Sequence, residues 1–182
     1  MKILVVDDEY EKIPGILRIV KSISESAIVE HVTTATAGRQ ALSTKDFDLL
    51  IVDLNLPATI GALSTESGGL DFVKLIKIDK RSNLPGQILF LTGHESLLDK
   101  LKTSIISTGA CLCFYSPHES MWEEVLSGKL SYLYEMTKRM KVIAPCADVA
   151  IVTALRSPEL KAVLNLRYGF SALRVNNDPT GY

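Results

Sequence analysis

Five short apolar runs recur along the chain, each closed by turn or polar residues: Lys2–Val6, Ile28–Thr33, Leu49–Asp53, Ile88–Thr92 and Cys111–Tyr115. Several lack the alternation of a half-buried strand, which suits strands covered on both faces of a parallel sheet. Between them lie stretches with apolar residues at helical spacing: Ile16–Ser24, Ala37–Leu42, Leu70–Asp79, Leu97–Ser107 and a long Glu119–Lys141, in which Gly128-Lys129 marks a candidate bend. Strand–helix units in this succession predict an α/β doubly wound domain around a five-stranded parallel sheet.

In such sheets ligands bind outside the carboxyl ends of the strands. The first run ends at Asp7-Asp8, the third at Asp53, the fourth at Thr92 and the fifth at Ser116-Pro117. Carboxylates gathered at one apolar mouth repel one another, and burial raises their pKa by removing water from the charged form. A cation among them resolves both problems. Oxygen-only, solvent-open ligation suits Mg²⁺, which keeps several waters and favours phosphate oxygens. A carboxylate can also attack phosphorus to form an acyl phosphate, with a metal offsetting the charge of the transferred group. Glu9 reads as a helix-start acid near the positive dipole end rather than a ligand.

The segments "ILVVDDE", "DLLIVDLNLP", "ILFLTGHE" and "STGACLCFYSP" resemble, in order and spacing, the receiver domain of bacterial response regulators over about residues 1–140. The resemblance implies a flavodoxin-like sheet of order 2-1-3-4-5. It also implies a phosphoacceptor at Asp53, an Mg²⁺ site of Asp7, Asp8, Asp53 and the backbone carbonyl of Asn55, a switch hydroxyl at Thr92, and a loop proline at Pro57. The implied partners are a sensor histidine kinase or phosphotransfer protein upstream and an attached or partner effector domain downstream.

Three positions depart from the family pattern. The family lysine before the last proline is here Ser116, which can hydrogen-bond a phosphoryl oxygen but brings no charge. No nearby residue is an evident substitute: Lys100 and Lys102 on the fourth helix, Tyr115, His118 and His94 each read as surface or packing residues. The family's aromatic switch position holds Cys113, with Phe114 expected on the opposite face. After Pro57 an added stretch, Ala58–Gly69, is rich in Gly, Ser and Thr and reads as a flexible, solvated loop that is a lid, a partner-contact loop or a tolerated insertion. Two functions follow: a working phosphorylation switch, or a pseudo-receiver serving as a protein–protein and dimerisation module.

Length and composition narrow the field. At 182 residues the chain makes one domain, or one domain and part of another. A net charge of −1 gives no electrostatic case for nucleic acid or an anionic membrane. No apolar stretch approaches the ~20 residues of a membrane span, and no leader peptide is evident. Cys111, Cys113 and Cys146 form no C-x-x-C pair and read as buried, reduced thiols, so the expected location is the cytoplasm. The chain alone is not expected to be an enzyme. Dehalogenase-type phosphatases also use a strand-end Asp with Mg²⁺, but the second acid that they need falls at Asn55.

Beyond Lys141 the pattern changes. "ADVAIVTALRSPELKAVLNL" predicts a strand at Asp148–Leu155 and a helix from about Pro158, with Ser157 as cap. It resembles the opening of the nucleoside phosphorylase and nucleosidase superfamily. The expected domains are therefore 1–141, the receiver, and 142–182, a linker and the truncated start of a second α/β domain. The alternative is a strand–helix arm that packs on the receiver or swaps between two copies as a homodimer.

Overall fold

The computed structural model describes residues 1–143, and Met1–Glu135 form one compact unit. The expected strand at Asp148–Leu155, the helix from Pro158 and Cys146 lie outside the described residues. In chain order the elements are β1 (Lys2–Val6), α1 (Ile13–Ile23), β2 (Ile28–Val32), α2 (Ala35–Thr44), β3 (Leu49–Val52), β4 (Leu56–Pro57), β5 (Ser64–Thr65), α3 (Gly68–Ile78), β6 (Gln87–Thr92), α4 (Glu95–Ser107), β7 (Cys111–Phe114) and α5 (Met121–Ile143).

The main sheet is five-stranded and parallel in the order β2-β1-β3-β6-β7. This is the flavodoxin-like order expected from the sequence; the small hairpin β4–β5 only shifts the numbering. Successive side chains on a strand point to opposite faces, and two cores result. Leu4, Val6, Leu50, Val52 and Phe90 pack beneath α2, α3 and α4. Ile3, Val5, Leu49, Ile51, Leu89 and Leu91 pack beneath α1 and α5, where Trp122, Leu126, Leu130 and Leu133 complete the layer. β2 is the exception among the apolar runs: it lies at the sheet edge and none of its residues is fully buried.

The helix ends have identifiable causes. Thr34 caps α2 by accepting from Ala37 N at 3.2 Å. Gly109, at φ 77°, turns the chain out of α4 in the left-handed region that favours glycine. α3 starts two residues before the expected Leu70, on a Gly68-Gly69 pair. A side chain at Gly69 would overlap the Asp53 carbonyl oxygen, and one at Gly68 the Leu56 carbonyl oxygen, so only glycines let this helix enter so close to β3 and β4. α5 runs through Gly128 without the break that the sequence suggested.

The added stretch after Pro57 is more ordered than its composition predicts. Leu56–Pro57 and Ser64–Thr65 pair antiparallel, and Ala58 O accepts from both Thr36 N at 3.0 Å and Thr36 Oγ1 at 2.8 Å. The tip is open to solvent, with Ile60 and Leu63 each 90% exposed.

Candidate functional site: a buried carboxylate cluster

Sheet register builds the site. β1 and β3 pair with Val6 opposite Val52, so Asp7 and Asp53 stand side by side one step beyond the last ladder pair. Backbone bonds fix both: Asp7 N donates to Val32 O and Asp53 N to Val6 O, each at 3.0 Å. Both side chains are buried, and with Asp8 they offer carboxylate oxygens within 4.8 Å of one another. The expected convergence of these acids is therefore present.

Each carboxylate is held differently. Asp7 Oδ1 accepts from Glu9 N at 2.8 Å, and Asp53 Oδ2 accepts from Asn55 N at 3.0 Å. Asp8 Oδ2 accepts from Ser64 Oγ at 2.8 Å, which ties the β4–β5 hairpin to the site. Asp8 Oδ1 is buried and has no hydrogen-bond partner among the described residues. A buried carboxylate oxygen left unsatisfied is costly, and here it belongs to a cluster of like charges. A small oxygen-seeking dication fits this donor set: it would take up the orphaned oxygen and the residual negative charge together.

One cation is already built in. Lys12 Nζ donates to Asp7 Oδ2 at 2.8 Å and to Asp53 Oδ1 at 3.0 Å, and Glu9 Oε2 lies 3.9 Å away. Lys12 is 1% exposed, and its ammonium also stands 5.9 Å from the Tyr115 ring centre. Burial works against the lysine charge, but Asp53 and Asp7 outweigh it and its pKa lies above the ordinary value. For Asp7 burial wins over the attraction of Lys12, and its pKa rises to about 6. Three carboxylates against one ammonium leave two negative charges uncompensated if all are ionised.

Sequence reasoning missed Lys12 and looked among residues that lie elsewhere. Lys100 pairs with Glu66 at 2.6 Å on the surface, and Lys102, His94 and His118 are exposed. Tyr115 is buried, packed against Trp122 with ring centres 5.1 Å apart. The usable signal was the N-cap position: α1 begins at Ile13 with Pro14 in its first turn, and a lysine immediately before it makes no side-chain cap. Glu9, expected at a helix start, lies ahead of α1, whose first turn holds no acid.

The other expected residues surround the cluster. Thr92 ends β6 fully buried, its Oγ1 accepting from His94 N at 3.3 Å. Asn55 is half-buried, and Pro57 is buried in β4 opposite Ser64. Ser116 Oγ accepts from His118 N at 3.4 Å within its own loop. Cys113 and Phe114 do face opposite sides, Cys113 toward the α1–α5 core and Phe114 toward the other. Cys111, expected to be buried, is exposed at the start of β7, with Lys129 Nζ 2.9 Å from its sulfur.

The response regulator receiver domain family matches residues 3–113. The chain belongs to that family. An uncharacterized protein, y4jS, of Sinorhizobium fredii (strain NBRC 101917 / NGR234) is 34% identical over 174 residues, which cover 90% of this chain and 42% of that protein. The transcriptional regulatory protein BasR of Escherichia coli (strain K12) is 33% identical over 101 residues, covering 56% of this chain and 40% of BasR. The chain thus spans about two fifths of the length of these relatives. Among solved structures, the phosphorylated cyanobacterial phytochrome response regulator RcpA superposes with a TM-score of 0.59 at 17% identity, over 74% of this chain and 94% of that one. The response regulatory domain of mrkE from Klebsiella pneumoniae gives 0.57 at 18%, over 75% and 99%. These likenesses share the receiver fold. Among the described residues no helix is long and apolar enough to cross a membrane.

Proposed function

We propose that this receiver is a phosphorylation switch of a two-component relay. Asp53 accepts a phosphoryl group from a histidine kinase or phosphotransfer protein, and the resulting change governs an effector domain. The observation that carries this reading is the cluster of Asp7, Asp8 and Asp53 within 4.8 Å, with a buried oxygen on Asp8 that has no partner among the described residues. Asp7, Asp8, Asp53 and the Asn55 carbonyl would hold Mg²⁺. When bound, the ion would offset the charge of the incoming phosphoryl group. Thr92, buried at the end of β6, supplies a hydroxyl that can follow a phosphoryl oxygen and carry the change into α4.

The sequence beyond the described residues is read as a linker and the start of a nucleosidase-like effector domain. The y4jS similarity supports reading a second segment after the receiver, because it covers 90% of this chain and so reaches beyond residues 1–141. On that reading the switch would regulate nucleoside cleavage from the cytoplasm, with dimerisation as one route of coupling.

A second reading draws support from Lys12. An ammonium that already bridges Asp7 and Asp53 partly satisfies the site without phosphate, as a phosphorylation-independent pseudo-receiver would need. Acetyl phosphate with Mg²⁺, followed by intact mass, separates the two. A single phosphoryl adduct, lost in Asp53→Ala and in EDTA, is expected; no adduct in the unaltered chain would reject the switch.

A further inference from the structure

We infer that Lys12 is the phosphoryl-contacting cation of this receiver, supplying from the β1–α1 loop the charge that is missing at Ser116. The inference rests on the switch reading above and adds a residue to it.

Three observations single out Lys12. A lysine is among the residues least often fully buried, yet this one is 1% exposed and bonded to the reacting carboxylate itself, with Nζ 3.0 Å from Asp53 Oδ1. It also stands at the N-cap of α1, where an uncharged or acidic acceptor would satisfy the helix and a positive charge opposes the dipole. Its side chain caps nothing there. A residue that serves its helix badly and is costly to bury must be retained by the acids it meets. Finally, Ser116, at the position where the resemblance places a lysine, bonds within its own loop through His118 N.

The chemistry balances without a proton transfer. A carboxylate oxygen of Asp53 bonds to phosphorus as the donor's P–O bond breaks, and acetate departs with the electron pair. Asp53 loses its negative charge and gains a dianionic phosphoryl group. Lys12 stays an ammonium and exchanges the carboxylate oxygen it holds for a phosphoryl oxygen. Charge-assisted bonds of this kind are about twice as strong as neutral ones, and a serine hydroxyl does not replace one.

The test compares initial rates of adduct formation from acetyl phosphate and Mg²⁺ in the full chain, in Lys12→Met and in the double variant Lys12→Met/Ser116→Lys, with Mg²⁺ affinity measured by calorimetry. Lys12→Met should phosphorylate roughly 10–100-fold more slowly. Returning a lysine at position 116 should recover most of that loss, which repair of packing alone would not do. An unchanged rate in Lys12→Met overturns the inference and leaves the switch standing. A faster rate with tighter Mg²⁺ binding also overturns it, and makes Lys12 a competitor of the metal. No adduct in the unaltered chain rejects the switch and this inference with it. If Lys12→Met fails to fold, the double variant decides by the same measure. If both unfold, the Lys12 ammonium ¹⁵N resonance of the unaltered chain decides: it should move on phosphorylation, and an unmoved resonance overturns the inference.

Discussion

Ser64 Oγ donates to Asp8 Oδ2 at 2.8 Å across 56 positions of sequence. The hairpin that carries Ser64 is the stretch whose Gly, Ser and Thr content suggested a solvated loop. Its bond holds the Asp8 carboxylate with Oδ1 buried and, among the described residues, unpartnered. Ser64 would therefore act on a metal held there through the orientation of Asp8, as residues supporting a ligand commonly do. Ser64→Ala is expected to weaken Mg²⁺ binding by about tenfold, read by calorimetric titration. An unchanged affinity would show that the hairpin takes no part in the site.

Gly69 is a second link between the added stretch and the acids. Its N donates to Leu54 O at 3.0 Å, and a Cβ there would overlap the carbonyl oxygen of Asp53. Backbone on both sides leaves no flexible side chain to yield. Gly69→Ala should cost about 3 kcal/mol, at the upper end of overpacking effects, as a lowered urea midpoint. Gly61→Ala in the same stretch meets none of the described residues within 4 Å, and its cost should come from the φ of 80°.

α2 offers a test confined to helix capping. Thr34 has extended backbone, is buried, and accepts from Ala37 N at 3.2 Å. Thr34→Ala should destabilise the chain by about 1 kcal/mol, and Thr34→Ser should recover most of it. Equal losses in both variants would assign the cost to the buried methyl group instead.

Much of this molecule was legible in its sequence because burial imposes a short period. The five strands of the main sheet fall within one residue of the apolar runs, and register alone then places Asp7 beside Asp53. Local cues failed where a long side chain reaches back through the fold. Lys12 looks like a solvated residue in a charged turn; its burial depends on the strand ends that surround it, which no local window contains. The Ala58–Gly69 stretch misled for a related reason. Its composition describes the tip at Ile60–Leu63, while its ends are fixed by Asp8 and Thr36, residues distant in sequence.

The two described cysteines share one face of β7 and differ sharply in environment. Cys111 is exposed beside Lys129, whereas Cys113 lies in the α1–α5 core, where burial pushes its thiol up to about 11. The thiolate is the reactive form. At pH 8 iodoacetamide should therefore modify Cys111 promptly and leave Cys113 intact in the folded chain, as peptide mapping by mass would show. The same shift has a consequence for stability. Between the ordinary thiol value of 9.0 and about 11, the unfolded chain releases a proton that the folded chain keeps. Unfolding is thus favoured as pH rises through that window, and the contribution of Cys113 is fully present only below it. Cys113→Ala should be less stable than the unaltered chain at pH 8, because it leaves a small cavity. Its urea midpoint should then fall less steeply between pH 9 and 11. Parallel slopes in the two proteins would place the origin of any alkaline destabilisation elsewhere.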